Sequence, residues 1–215
     1  MQLGGFDKIA NIYDGLARLV FGKSIQQAQE YLLNDVPPES KILILGGGTG
    51  WLLANLLELK PACEVWYIEA SEKMLELSKE KIKQSDRVHF LLGTENSIPG
   101  NIQFDVVITN FYLDLFTTLS LDSVIEKIRT AIKPQSLWLA TDFIESKVWW
   151  QSVLLKIMYY FFRMTCSIEA SQLPDWNQQL AKNGLTRLKS KFFFGGLIEA
   201  TAYSNKADKR FHRQG

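Results

Sequence analysis

The chain has 215 residues, 47% of them hydrophobic, and a formal net charge of +1, enough for one domain with a real core and too little for two independent ones. So balanced a charge gives no field to hold a polyanion, which makes nucleic acid an unlikely partner and leaves small molecules. Cys63 and Cys166 lie far apart, with no CxxC pair or Cys/His cluster. They offer neither a disulfide framework nor a metal site, and read as reduced core thiols.

Residues 1–10 lack the basic start and apolar run of a secretory signal, so a cytoplasmic protein is expected. Residues 5–33 read as two short helices broken near Gly22, and Pro37-Pro38 sets them apart from the core of the chain. From Lys41 onward, short apolar runs alternate with longer segments of helical period, the pattern of a parallel sheet covered on both faces. Strands are expected at 41–45, 64–69, 88–92, 104–109 and 136–141. Between them, a helix at 51–59 has an apolar face of Leu52, Leu53, Leu56 and Leu57 and is stopped by Pro61. A second, at 72–84, is capped by Ser71, and a third, at 121–132, ends before Pro134.

The run 148–164 is apolar, but Gln151, Ser152, Lys156 and Arg163 interrupt it and it is short for a bilayer core. It reads as an amphipathic helix, not a transmembrane segment. At the end of the chain, 187–194 and 197–204 read as two strands joined by a two-residue Gly195-Gly196 turn. The expected fold class is α/β: a doubly wound, seven-stranded, mostly parallel sheet with a C-terminal antiparallel hairpin.

The first strand runs into Gly46-Gly47-Gly48-Thr49-Gly50 and then into a helix. That places the loop at the carboxyl end of the strand, where open α/β sheets bind ligands. Glycine lets the backbone approach a ligand closely, and the amides opening the helix point at any negative group there. A dinucleotide loop, G-x-G-x-x-G, would need glycine where Trp51 stands, which makes an NAD(P)-dependent oxidoreductase the weaker alternative. Glu69 ends the second strand about twenty residues further on, where a carboxylate can accept both hydrogen bonds of a ribose diol. Alone, the glycines are compatible with a plain tight turn and Glu69 with a solvated strand end. Together, in register with five strands, they point to an adenosine site.

Gly46-x-Gly48-x-Gly50, within Ile42 to Gly50 (ILILGGGTG), resembles the first motif of the class I S-adenosylmethionine-dependent methyltransferases. The resemblance extends from Phe6 to about Asn205 and implies a Rossmann-like methyltransferase fold with S-adenosyl-L-methionine as cofactor. It implies Glu69 as the ribose ligand, with Ala70, Ser71 and Met74 beside the adenine. Gly93-Thr94-Glu95 falls where the family usually has an aspartate for the adenine amino group; Thr94 or Glu95 takes that part, or the segment is a plain turn. Phe104 to Tyr112 (FDVVITNFY) is similar to the fourth-strand motif and puts Asn110 and Phe111 on the methionine side. Because Phe111 and Tyr112 occupy the proline positions of the motif found in enzymes that methylate base amines, DNA amino-methylation is disfavoured.

Phe6 to Asp14 (FDKIANIYD) resembles the opening segment of small-molecule methyltransferases related to quinone C-methylating enzymes, and there Tyr13 would approach the cofactor carboxylate. Without the resemblance, Ile9, Ile12 and Tyr13 are simply the buried face of a surface helix. One departure matters: where the family commonly has Asp or Glu, two residues before the first loop glycine, this chain has Ile44. The alternative it raises is a methyltransferase-like fold that binds the cofactor without catalysis.

Methyl transfer from a sulfonium needs alignment and exclusion of water, with a base only when the acceptor carries a proton at neutral pH. His89, inside the third strand, and His212, in a basic tail, are poor candidates. Asp114 and Asp142, at the carboxyl edge, are the candidate bases, with capping or solvation as the plainer role for each. The aromatic run Trp149, Trp150, Tyr159, Tyr160, Phe161 and Phe162 follows the fifth strand, where these enzymes often build a lid, and suggests an apolar or aromatic acceptor. A single methyltransferase domain, 1–215, is thus expected: a helical cap at 1–36, a cofactor-binding core at 37–144, a helical substrate lid at 145–185 and a closing hairpin at 186–205. A homodimer is left open.

Overall fold

The structure, a computed structural model, describes residues 4–82, 85–166, 168, 170 and 172–205. His212 and the last two residues of the helix expected at 72–84 lie outside them.

Two helices open the chain, α1 (Ala10–Phe21) and α2 (Ser24–Glu30), separated at Gly22. Then β1 (Lys41–Leu45), α3 (Trp51–Leu59), β2 (Glu64–Glu69), α4 (Glu72–Ile82), β3 (Val88–Leu92) and β4 (Phe104–Asn110) alternate as their apolar periods predict. α5 (Thr118–Thr130) and β5 (Ile132–Phe143) come next. α6 (Trp149–Cys166), α7 (Trp176–Lys182), β6 (Leu185–Phe193) and β7 (Ile198–Asn205) complete the fold.

All seven strands form one sheet in the order β3-β2-β1-β4-β5-β7-β6. The first five are parallel; β7 pairs antiparallel with both β5 and β6. Strand order reverses at β1 and β4, the position at which a doubly wound sheet leaves a crevice beyond its carboxyl ends. Register brings the relevant ends level there, with Leu45 opposite both Ile68 and Thr109, and Asn110 opposite Thr141.

Alternation along the strands divides the core between the two sheet faces. Ile42 and Ile44 pack with Leu53 and Leu56 of α3 and Leu75 of α4 on one face. Leu43 and Leu45 share the other with Leu121, Ile125 and Ile128 of α5 and with Trp176 of α7. A smaller cluster of Ile9, Tyr159, Cys166, Ile168 and Ala170 lies beneath α1 and α6.

Several boundaries differ from expectation. α5 starts earlier because Thr117 and Ser120 form a capping box ahead of the apolar run. β5 continues through Pro134, since its pairing with β4 shifts register between Phe104 and Val106 and leaves that proline in a bulge. The two-residue glycine turn is replaced by a 3-10 turn at Phe194–Gly196. Tertiary contacts draw Phe194 out of the strand: its carbonyl accepts from Gln151 Nε2 at 2.9 Å and its ring meets Phe21 with centroids 5.0 Å apart. α7 lies within the helical segment expected at 145–185, though without bounds of its own there, and begins where Asp175 accepts from the Gln178 amide at 2.9 Å.

Candidate functional site

A cavity of about 310 Å³ lies over the carboxyl ends of β1, β2 and β4. Gly46, Gly47, Gly48 and Glu69 line it, and Tyr13, Met74, Asn110 and Phe111 add to its walls.

The glycines divide by role. A Cβ on Gly47 would lie 2.1 Å from Cζ of Tyr67, one on Gly46 2.6 Å from Cδ2 of Tyr112, and one on Gly50 2.7 Å from Cβ of Ser78. Those three let the loop pack against its own protein. At Gly48, with φ +67°, a Cβ would meet nothing within 4 Å, so this residue borders space a ligand can fill.

Glu69 closes the loop from the other side. Its Oε2 accepts from the Gly48 amide and its Oε1 from the Ser71 amide, each at 2.8 Å. A carboxylate has about four acceptor positions, so two remain for a diol. Burial raises the Glu69 carboxyl above the usual glutamate range, against the opposing effect of the Ser71, Gly48 and Ala70 amides. The Tyr67 hydroxyl donates to the Gly48 carbonyl at 2.9 Å and fixes the loop further.

Several expected neighbours are occupied elsewhere. Ser71 is buried; its hydroxyl accepts from the Met74 amide at 3.1 Å as the cap of α4 and donates to Asp7 Oδ1. The Ala70 carbonyl accepts from the Gly4 amide at 2.8 Å. Thr94 Oγ1 accepts from the Asn96 amide at 3.3 Å, and Glu95 Oε2 accepts from the Tyr112 hydroxyl at 2.8 Å. Ala70, Ser71, Thr94, Glu95 and Gly50 are not among the lining residues of this cavity.

Ile44 lines the cavity where an acid is common in the family. Asp14 and Arg18 of α1 and Gln26 and Gln29 of α2 supply polar groups to the same space. Asp14 is held by Thr49, whose hydroxyl donates to Oδ2 at 2.7 Å. Nothing in the residue order marks Arg18, Gln26 or Gln29, because they reach the site only through the fold-back of α1 and α2.

A second cavity, about 260 Å³, lies between α1 and α6. Tyr13, Phe111 and Leu115 border both spaces. Phe111 has φ +51°, a strained conformation for a non-glycine residue, and it falls at the junction of the two cavities. Tyr159, Phe161 and Phe162 line the second cavity; Trp149, Trp150 and Tyr160 do not. Those three rings therefore play no part in its lining, contrary to what their place in the aromatic run suggests.

Asp114 is the acid of this apolar space. It is buried, it lines the cavity, and its Oδ1 has no hydrogen-bond partner among the described residues. Burial pushes its carboxyl up to about 7. Asp142, whose Oδ2 accepts from the Asp114 backbone amide, is fully buried and lines neither cavity. Its Oδ2 accepts from the amides of Tyr112, Leu113 and Asp114 at 3.0–3.2 Å, and its Oδ1 from that of Phe143 at 2.8 Å. Burial raises both carboxyls, and on Asp142 the neighbouring Asp114 charge adds to the rise against the opposing amides of Phe143, Asp114 and Leu113, so the two titrate as a pair. Asp142 is thus a positioning group for the turn after β4. His89 pairs with Glu64 at 2.8 Å and stacks on Trp66, apart from both cavities.

The site suits an adenosyl cofactor on grounds of its own: open space at Gly48, spare acceptor positions on Glu69, and a buried Asn110 Nδ2 without a partner among the described residues.

Residues 42–135 match the family model described as a methyltransferase domain. The chain is 29% identical over 138 residues to the malonyl-[acyl-carrier protein] O-methyltransferase of Priestia megaterium, a match covering 64% of this chain and 49% of that protein. It thus spans about half the length of that relative. It is 30% identical over 171 residues to the demethylmenaquinone methyltransferase of Leptospira interrogans, covering 74% of this chain and 66% of that one. The Burkholderia thailandensis 1,6-didemethyltoxoflavin N1-methyltransferase, solved with 1,6-didemethyltoxoflavin and S-adenosylhomocysteine, shares the fold at a TM-score of 0.67 and 14% identity, covering 94% of this chain and 87% of that one. The methyltransferase-domain match, which runs from β1 into β5 across the cavity floor, the named methyltransferase relatives and the shared fold together identify this chain as a methyltransferase of the S-adenosylmethionine-dependent class.

Proposed function

We propose that the chain transfers a methyl group to a small apolar or aromatic acceptor seated between α1 and α6, with Asp114 taking the acceptor's proton. The observation that carries this is the junction of two cavities of opposite character at Tyr13 and Phe111. One is floored by the glycine loop and Glu69; the other is apolar and, among the described residues, holds the one acid Asp114.

S-adenosylmethionine, when bound, supplies a methyl group already activated on a sulfonium. Glu69 would hold the ribose hydroxyls through its two free acceptor positions, and Gly48 leaves the room beside them. The unpartnered Asn110 amide would donate on the methionine side. With Ile44 in place of an acid, Asp14 is the carboxylate available to the ammonium and Arg18 the cation available to the carboxylate. Burial, together with the acids Asp114, Asp14 and Glu69, keeps the Tyr13 phenol protonated, hence a donor.

A carboxyl titrating near neutrality is suited to general-base work on a hydroxyl or an acidic carbon. An anionic acceptor such as a malonyl carboxylate needs no base and would be repelled by the negative charge that Asp114 takes on ionising. The relatives named demethylmenaquinone methyltransferase support a ring acceptor of reduced-quinone type. Residues 1–36 would serve as cap and 145–185 as lid.

The test is calorimetry with S-adenosylhomocysteine, then transfer of labelled methyl from S-adenosylmethionine to naphthoquinols, a malonyl thioester and RNA. Binding of the adenosyl compound with turnover of the quinol is expected. Failure of S-adenosylhomocysteine to bind, or turnover confined to the thioester or RNA, defeats the proposal.

A further inference from the structure

A helix packed on a domain ordinarily turns apolar side chains inward and polar ones to water. The outer face of α6 does not. Trp149, Val153, Ile157, Tyr160 and Met164, spaced four, four, three and four residues apart, fall on one side of the helix. All are exposed: Trp149 by 77%, Ile157 by 60%, Tyr160 by 70% and Met164 by 69%. Lys156 and Arg163 flank this stripe and are exposed as well. Residues 146–166 contain three cations, counting Lys147, and no aspartate or glutamate.

We propose that this face docks on an anionic lipid bilayer, with α6 lying in the plane of the membrane surface. An apolar stripe carrying Trp and Tyr and edged by cations is suited to the boundary between headgroups and acyl chains. Among the described residues no helix is long and apolar enough to cross a membrane, so the contact is lateral. Charge complementarity selects the occupant. The cations attract acidic headgroups, whereas a second copy docked by a two-fold axis across the middle of the helix would set Lys156 against its own equivalent with no acid on either α6 to neutralise it.

The stripe is continuous with the apolar cavity, because Ile157 belongs to both, and Leu154, Met158 and Phe161 lead inward from it. An apolar acceptor dissolved in the bilayer would therefore reach Asp114 without crossing water. That last step rests on the acceptor proposed above; the docking does not.

The experiment is flotation of the full chain with vesicles of phosphatidylglycerol and phosphatidylcholine, and with phosphatidylcholine alone, at rising salt. Partition onto the anionic vesicles is expected to be about tenfold stronger or more, and to fall with salt. The double variant W149E/Y160E, at two exposed positions outside both cavities, should lose it while keeping its far-ultraviolet dichroism and its affinity for S-adenosylhomocysteine. Absence of binding at every composition, or undiminished binding by the variant, overturns the proposal. So does sedimentation velocity showing a dimer that the double substitution dissociates. If the parent chain floats with vesicles yet binds no S-adenosylhomocysteine, the cofactor assignment fails and the docking stands.

Discussion

The Gly48 amide donates to Glu69 Oε2 at 2.8 Å, tying the loop after β1 to the end of β2 across 21 residues of chain. The carboxylate so used is the one assigned to the ribose, so loop geometry and cofactor affinity depend on a single side chain. Glu69→Gln would set an NH2 group toward one of the two amides it now accepts from. Loss of a charge-assisted bond of this kind costs about 2 kcal/mol, a thirtyfold weakening of S-adenosylhomocysteine by calorimetry. The raised carboxyl adds a pH signature. Wild-type affinity should decline with falling pH through a value above the ordinary glutamate range, because protonation removes the acceptor; a flat profile down to that range would contradict the role.

Gly48→Val should abolish measurable cofactor binding and leave far-ultraviolet dichroism near wild type. The added Cβ enters open space and not the protein, so the loss falls on the ligand; the left-handed φ adds about 1 kcal/mol of strain. Unchanged affinity for S-adenosylhomocysteine would mean that the cavity serves another ligand.

Asp114→Asn is expected to lower turnover of a proton-bearing acceptor on the order of a hundredfold or more. Wild-type kcat/KM should rise with pH through about 7, as the carboxyl ionises, and the variant should lack that limb. Stability gives an independent readout. Between the ordinary aspartate range and about pH 7 the folded Asp114 stays protonated while the unfolded one ionises, so wild-type stability falls as pH rises across that window. Melting curves of the variant should show a shallower fall.

Asp142→Ala leaves four buried amides without an acceptor. A loss of about 3 kcal/mol or more in unfolding free energy is expected, read by chemical denaturation. An unchanged denaturation midpoint would mean that water or another group replaces the carboxylate.

Leu154 lines only the apolar cavity. Leu154→Trp would fill that space, and kcat/KM for the acceptor should fall about tenfold or more with S-adenosylhomocysteine affinity preserved. Equal loss of both would show the cavities to be one compartment.

Buried strands set between glycine and proline are legible because burial on both faces demands continuous apolar runs, and β1 and β2 have the bounds that rule gives. β5 runs past Pro134 only because a bulge across from Phe104 and Val106 absorbs it, and no local signal announces a bulge. The site divides in the same way. Gly48 and Glu69 are visible since their work is done near strand ends. Whether the hydroxyl of Ser71 or Thr94 faces a ligand or caps its own backbone depends on a fraction of a turn, and here both cap. Asp142 serves amides up to 30 residues away. Arg18 arrives from α1, and no spacing rule links that helix to the sheet edge.

The contact of Gly47 with Tyr67 bears on how relatives of this chain diverge. The Tyr67 ring fills the volume that any side chain at position 47 would need, and its hydroxyl closes on the next residue of the loop. Position 47 cannot drift while the ring at 67 remains. A descendant with alanine or serine at 47 must first have traded the ring at 67 for something smaller, and would lose the tether on Gly48 in the same step. In an alignment of relatives the two columns should therefore change together.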